Sequence, residues 1–536
     1  MSASLPHLST LGHWAAEQRH ATLPADVLEA ARHQLASAVA AAHAGTRTGD
    51  ADPVLRSTEA FGGPGPATVV GNGLRRMPAD AAFANAACSM AHDFDDVVWM
   101  GHTGHSSVFA ALAVAEAEGA DGRRLLEAIT VATELAGRIG ASSLLGPLNG
   151  QMWTFLHLVG AAAATARLLD LDGDRTAHAL AIALAQPNFA LQPAFLGPSS
   201  KLLSAATPTR TGMEAAYLAR EGMVGFPGIL EDPKGFWARF SYLPLPDMLE
   251  GLGDFWTMRT LQVKTYPGCH YFQTACSALE ALLEHTGPLA PEDVTAVRAE
   301  TTKVGLEATR FIGEYAAPDA PLTAVKVNFD LATTLAVLLH AGRLGADEVA
   351  PEWLAENASR IASWRERITV RHDPALTART LEAVRRTRPG RAAIEAIGPR
   401  ELVRLSRRYR AEYRSQLFPS GDLGGWVRWL LSKNGEPPPE GDHVLLFPNR
   451  VTLVLADGSE KTVRHDLPAG AFGAPGAEQR VRRKLLTELG ATMGARAAER
   501  AADAVFSLDD MPVRALARTL TSDPGGGRSA TAASHP

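Results

Sequence analysis

The stretch VGAAAATARLLDLDGDRTAHALAIALAQ, residues 159–186, limits the fold more than any other part of the chain. Alanine sits at most of the positions a helix would bury. Neighbouring helix backbones can then approach closely, whereas a sheet of such residues would have little side chain to pack. The same texture fills LPADVLEAARHQLASAVAAAHAG (23–45) and DGRRLLEAITVATELAGRIGAS (121–142). Apolar residues recur there at helical spacing, with Asp26 near one start and Gly45 at one end. The hydrophobic fraction is 46% with only 6% aromatics, a balance that suits packed helices better than a β-sandwich. A chain of 536 residues also exceeds one simple core, so two domains are expected.

The texture changes near residue 263. DVTAVRAETTKV, RITVRHD and RVTLVLADGSEKTVRHDLP read as strands, and Asp457-Gly458 is a hairpin turn signal between two alternating runs. Helical stretches such as FDLATTLAVLLHAGRL lie between them. The expected order is a helical part over 1–262, an α+β domain over 263–467, a helical return over 468–520 that packs on the first part, and a disordered tail over 521–536. Within the second domain, residues 374–446 join a basic helix-like portion to a Pro/Gly-rich one. They read either as a solvated helix and loop or as a lid or partner-binding segment.

The global numbers exclude several classes. A net charge of −6 and a pI near 6.3 give no reason to expect nucleic acid or an anionic membrane as partner. The cysteines, Cys88, Cys269 and Cys276, are scattered and odd in number, which fits a reducing cytoplasm better than a disulfide framework. The N-terminal sequence lacks the basic and apolar regions of a signal peptide. No uncharged apolar run reaches the roughly 18–20 residues of a membrane helix.

Three segments carry candidate chemistry. AHDFDDVVWMGHTGHSS (91–107) gathers Asp93, Asp95, Asp96, His102 and His105 ahead of a helix. It reads as metal ligands, as an acid/base set or as a solvated cap; no spacing matches a specific metal motif, so no metal is expected. GPSSKLLSAATPTRTGMEAAYLAREG (197–222) holds Lys201 among small residues, either as a surface lysine or as a cation for a carboxylate or enolate oxygen. LQVKTYPGCHYFQTACSALEAL (261–282) places Lys264, Tyr266, His270 and Tyr271 at the domain change, where ligands commonly bind. Cys269 lies there too, without the signature of a nucleophile.

In this order and at these distances the three segments resemble the MmgE/PrpD family, whose activities include 2-methylcitrate dehydratase, cis-aconitate decarboxylase and iminodisuccinate epimerase. The resemblance runs over nearly the whole chain. It implies a mainly α fold: a large all-helical domain from both chain ends, a smaller α+β lid, a cleft between them, no cofactor, and a homodimer acting on a small carboxylate or carbonyl compound. Residue by residue, Asp93 matches the first aspartate of the family's DFDD, His105 the downstream histidine, and Lys201 and Lys264 the family lysines; these four are the expected catalytic set. His102, His157, Tyr266 and His270 are expected to line the substrate site. Three positions depart: Val97 stands where a threonine is expected, Gln151 where a histidine is, and Leu331 where a tyrosine is. Two residues are also added between Asp96 and His105. A neutral glutamine cannot donate a proton as an imidazolium can. The expected function is therefore a cofactor-independent lyase or isomerase on a less polar biosynthetic substrate. The alternatives are an orthodox dehydratase or decarboxylase, and a binding protein that keeps the fold.

Overall fold

The computed structural model describes residues 5–99, 101–149, 154–196, 199–315, 321–415 and 445–521. Long helices dominate the first half, and they begin and end where local chemistry dictates. Helix Gly122–Ser142 is capped by Asp121, whose carboxylate accepts from the Arg124 amide, and helix Gly173–Ala183 is capped in the same way by Asp172. Helix Ala25–Thr48 runs past Gly45 and stops at Gly49, which takes the left-handed conformation. Gly45 instead serves a helix crossing: a Cβ there would lie 2.0 Å from the Cys88 carbonyl oxygen of helix Pro78–Met90. The glycine read as a stop signal is a contact residue, because close approach and termination leave the same letter in the sequence.

Helices 25–48, 78–90, 104–118, 122–142, 156–168 and 203–220 share one alanine-rich core. The helical return is present as Ala477–Met493, Ala495–Phe506 and Val513–Thr519, and the first of these packs along Ala25–Thr48. Both ends of the chain thus build one helical body.

The second body is a four-stranded sheet in the order Ile368–His372, Val294–Thr301, Asn449–Leu455, Glu460–His465. The first pair is parallel and the other two antiparallel. The expected Asp457-Gly458 hairpin joins the last two strands, with Gly458 at φ +83°. Helices Gln273–Thr286, Leu331–Ala341 and Pro351–Arg365 cover this sheet with a separate apolar core. Of residues 374–446, the first portion forms three helices, Pro374–Arg386, Arg388–Ala396 and Pro399–Tyr413. The Pro/Gly-rich portion, Gln151 and the tail lie outside the described residues.

The two bodies are stitched at the candidate site. Asp96–Val97 pairs antiparallel with Gln262–Val263, so the DFDD segment and the Lys264 segment form one small ribbon.

Candidate active site

The DFDD segment is held in an uncommon backbone shape. Asp93 has φ +50°, in the left-handed region that aspartate tolerates better than most residues, and Trp99 has φ +47°. Val98 and Gly101 pair across the turn that Trp99 enters, each amide donating 2.8 Å to the other's carbonyl. His102 emerges directly after this turn.

Four buried charges meet here. The Lys201 ammonium pairs with Asp93 Oδ2, which also accepts from Asn328 Nδ2 at 3.1 Å. Lys264 Nζ donates to Asp95 Oδ1 at 2.6 Å and to the Asp93 carbonyl at 2.9 Å. Burial alone would raise both carboxyls, but the ammonium groups outweigh it. Lys201 and Lys264 hold Asp93 below the usual carboxylate range, and Lys264, His102 and His105 hold Asp95 well below it. Among the described residues no ammonium forms an ion pair with Asp96. Burial and then the Asp95 charge push it up to about 6, while Gln34 Nε2 donates to it at 2.8 Å.

Asp95 also organises the histidines. His102 Nδ1 lies 2.6 Å from Asp95 Oδ2. His105 Nε2 lies 3.1 Å from the same oxygen but lacks hydrogen-bond geometry, and its Nδ1 pairs with Ser89 Oγ at 2.7 Å. An ionised carboxylate only accepts, so Nδ1 of His102 carries the proton and Nε2 keeps its lone pair. Burial keeps the His102 imidazole below its ordinary pKa in spite of Asp95.

A cavity of about 370 Å³ opens onto this cluster. Asp93, Val97, His102, Lys264, Cys269 and His270 line one part of its wall. Neither ring nitrogen of His270 has a hydrogen-bond partner among the described residues, and burial holds this imidazole neutral. The rest of the wall is mostly apolar, from Leu144–Leu148, Leu245, Met248, Phe311, Phe447 and the helices of 374–413. Lys264 and Lys303 are the described cationic side chains on it, and no described arginine lines it.

Several expected residues therefore sit elsewhere than at the cavity wall. His105 is fully buried behind Asp95, and its ring lies 5.7 Å from that of His157, whose Nδ1 pairs with Ser106 Oγ. His157 is held well below its usual pKa by burial and supports from beneath rather than facing the cavity. Lys201 reaches Asp93 from behind Phe195 and Phe329, its ammonium 5.6 and 5.5 Å from their ring centres. The Tyr266 hydroxyl donates to Glu280 Oε2 at 2.7 Å, turned into the second body. Leu331 starts helix Leu331–Ala341 and is buried in the core of that body, so it is not a pocket residue. Asn328 and Phe329, three and two residues earlier, are the ones that reach the site. Cys269 faces the cavity, but burial pushes its thiol up to about 12, which makes it a poor nucleophile.

Two supports left little trace in the sequence. Asn328 ties the second body to the DFDD segment and sits inside an apolar helical run. Lys484 comes from the C-terminal helix, 389 positions from Asp95; its Nζ donates to the carbonyl of Phe94 and to Ser37 Oγ at 2.9 Å. Burial lowers this lysine to about 7.

Asp95, His102 and His105 offer three metal-type donor atoms within 4.8 Å of one another. The Lys264 ammonium, however, already lies on Asp95 as its cation, and a divalent ion would have to share that carboxylate with it. The donor set fits a hydrogen-bonded proton network better than a metal centre.

Models of the MmgE/PrpD N-terminal and C-terminal domains match residues 9–246 and 266–397 in succession. The chain belongs to the MmgE/PrpD family. A cis-aconitate decarboxylase of Aspergillus terreus is 30% identical over 292 residues, 51% of this chain and 59% of that relative. The cis-aconitate decarboxylase-like protein oryM of Aspergillus oryzae is 27% identical over 374 residues, 65% of this chain and 76% of oryM. The Homo sapiens cis-aconitate decarboxylase is 27% identical over 237 residues, 41% and 48% of the two chains. The chain thus spans somewhat over half the length of the first relative. The MmgE/PrpD match ends at residue 397, so the cavity residues Leu402, Tyr409, Leu445 and Phe447 come from beyond it. Among the described residues, no helix is long and apolar enough to cross a membrane.

Proposed function

We propose that this chain is a lyase or isomerase that moves a proton at a carbon next to a carboxylate or carbonyl, with no organic cofactor. The observation that carries the reading is the Asp95–His102 pair, with Nε2 of the imidazole free to act at a cavity that Lys264 also lines. Nε2 takes the proton from the activated carbon. The electron pair moves into the neighbouring carboxylate or carbonyl, and Lys264 stabilises the oxygen charge that develops. Return of the proton to a different carbon gives isomerisation. Loss of a β-hydroxyl gives elimination, with the leaving oxygen taking the proton that His102 Nε2 has just removed. In a decarboxylation the order reverses: His102 Nε2 first takes a proton from solvent, carbon dioxide departs, and the remaining electron pair takes that proton.

The charge balance bears on the substrate. Asp93 and Asp95 already compensate Lys201 and Lys264 pairwise, and the cavity wall is apolar around them. Of the described cations on the wall, Lys303 alone lies outside these pairs, 4.0 Å from Glu307, so most of a tricarboxylate's charge would stay unpaired, at several kcal/mol per buried ion. A monocarboxylate or dicarboxylate with an apolar remainder suits the site better. The second reading, an orthodox cis-aconitate decarboxylase, rests on the names of the relatives. The test is to incubate the protein in deuterated water with cis-aconitate, 2-methylcitrate and less polar 2-substituted succinates. Proton NMR follows exchange and product, with His102→Gln in parallel. Exchange or turnover of the less polar acids that is lost in the variant supports the proposal. Turnover of cis-aconitate alone supports the second reading, and silence throughout in a folded protein favours a binding function.

A homodimer is proposed for the assembly. Leu218, Met223, Val224 and Phe226 expose apolar side chains close together in sequence, at the end of helix Leu203–Arg220. Light scattering at micromolar concentration tests it, and a monomeric mass would refute it.

A further inference from the structure

We propose that the three helices of 374–413 form an apolar sleeve for a hydrocarbon arm of the substrate, so that the substrate class is a small carboxylate carrying an alkyl chain. This deepens the proton-transfer reading and rests on it for the position of the carboxylate. The cavity is continuous: its wall includes Lys264 and His102 and also Leu381, Val384, Ile394, Ile397 and Leu402. Leu381 and Val384 come from the first helix, Ile394 from the second with Ile397 capping it, and Leu402 from the third, which otherwise exposes a strongly basic surface (RELVRLSRRYRAEYR). Basic helices that turn their few large apolar residues inward toward a space are building a wall. The space is about 370 Å³, inside the range of roughly 300–1,000 Å³ typical of small-molecule pockets. A compact polycarboxylate has no part that apolar walls would hold. An alkyl chain needs no polar partner and gains from every methylene removed from water.

The chain-length dependence of binding reads this directly. Succinate and its 2-butyl, 2-hexyl and 2-octyl derivatives are titrated calorimetrically into the full chain. Burial of a methylene predicts affinity rising by about fourfold per carbon until the sleeve is full. Leu381→Trp, which fills the space, is expected to cut the series short while leaving succinate unchanged. Ala393 lines the same space, and Ala393→Phe is a second block in case the first variant does not fold. Lys264→Met is expected to weaken every member by a similar factor, because it acts at the carboxylate end. Affinity independent of chain length, or a rise that neither block shortens, overturns the sleeve. Binding that follows chain length without any turnover would leave the sleeve standing and count against the lyase or isomerase reading. Turnover of short acids with a flat series would do the reverse.

Discussion

The Asp95–Lys264 pair makes a demanding test of the site's electrostatics. Each side chain is 1% exposed and the two are 2.6 Å apart. Two unit charges at that distance attract by about 6 kcal/mol at an effective dielectric of 20. Much of this offsets the cost of removing both from water, so the pair adds little net stability. Removing one partner is different, because it strands the other in a dry site at about 3–5 kcal/mol. Lys264→Met leaves the Asp95 carboxylate facing only two imidazoles. Asp95→Asn leaves an ammonium facing an amide. The double variant has no stranded charge. Scanning calorimetry at pH 8 is the assay, read as unfolding midpoints because a chain of this size need not unfold in one step. Both single variants should melt well below wild type and the double variant above either of them. A double variant that melts lower still, by the sum of the two single effects, would refute the buried pair. On an accepted substrate, Asp95→Asn should lower turnover by roughly 10²–10⁴, since the amide can donate to His102 Nδ1 and move the proton onto Nε2.

Gly104→Ala should destabilise the protein by about 1–3 kcal/mol, because the new Cβ would stand 2.0 Å from Oδ1 of Asp96, whose other oxygen, Oδ2, accepts from Gln34; an unchanged melting temperature would mean the aspartate is free to move. Stability should fall as pH drops from 6.5 toward 4: His33, His43 and His92 are buried and held down to about 4, so the unfolded chain binds protons in this window that the folded one refuses, at about 1.4 kcal/mol per pH unit each. Asp96, raised to about 6, opposes one of the three in the same window, and the net slope stays acid-labile. A melting temperature that is flat from pH 7 to pH 5 would contradict these burials. Elemental analysis of the purified protein should find no stoichiometric metal, and chelators should leave turnover unchanged, since Lys264 is the cation on Asp95; one tightly held ion per chain would overturn this.

Those residues whose roles depend on local pattern were legible in the sequence. Helical spacing, the Asp457-Gly458 turn and the alternating strands each follow from neighbours a few positions apart, and the fold carries them as read. The lysines and aspartates were legible through the family resemblance; read alone, Lys201 also suited a surface, and the structure buries it on Asp93. Roles that depend on direction were not. His102 and His105 are three apart, and nothing in their sequence tells which faces a cavity. That is decided by the turn at Val98–Gly101, where Trp99 takes φ +47°, a conformation its own side chain disfavours. The same holds for VNFDLA. Aligned letter by letter it puts Leu331 at the pocket, but the helix that Leu331 begins turns that side chain into the second core, and Asn328 reaches Asp93 instead. The consequence for chemistry is specific. Reading the departures as three lost polar groups overstates the loss, because the Leu331 position was never at the wall. The described wall has Val97 in place of a hydroxyl, and it has His102 and the unpartnered His270. The proposed proton transfer thus keeps its histidine, and with Lys303 the described wall cation outside the Asp–Lys pairs, the proposal of a substrate of lower charge follows from the wall rather than from the three departures.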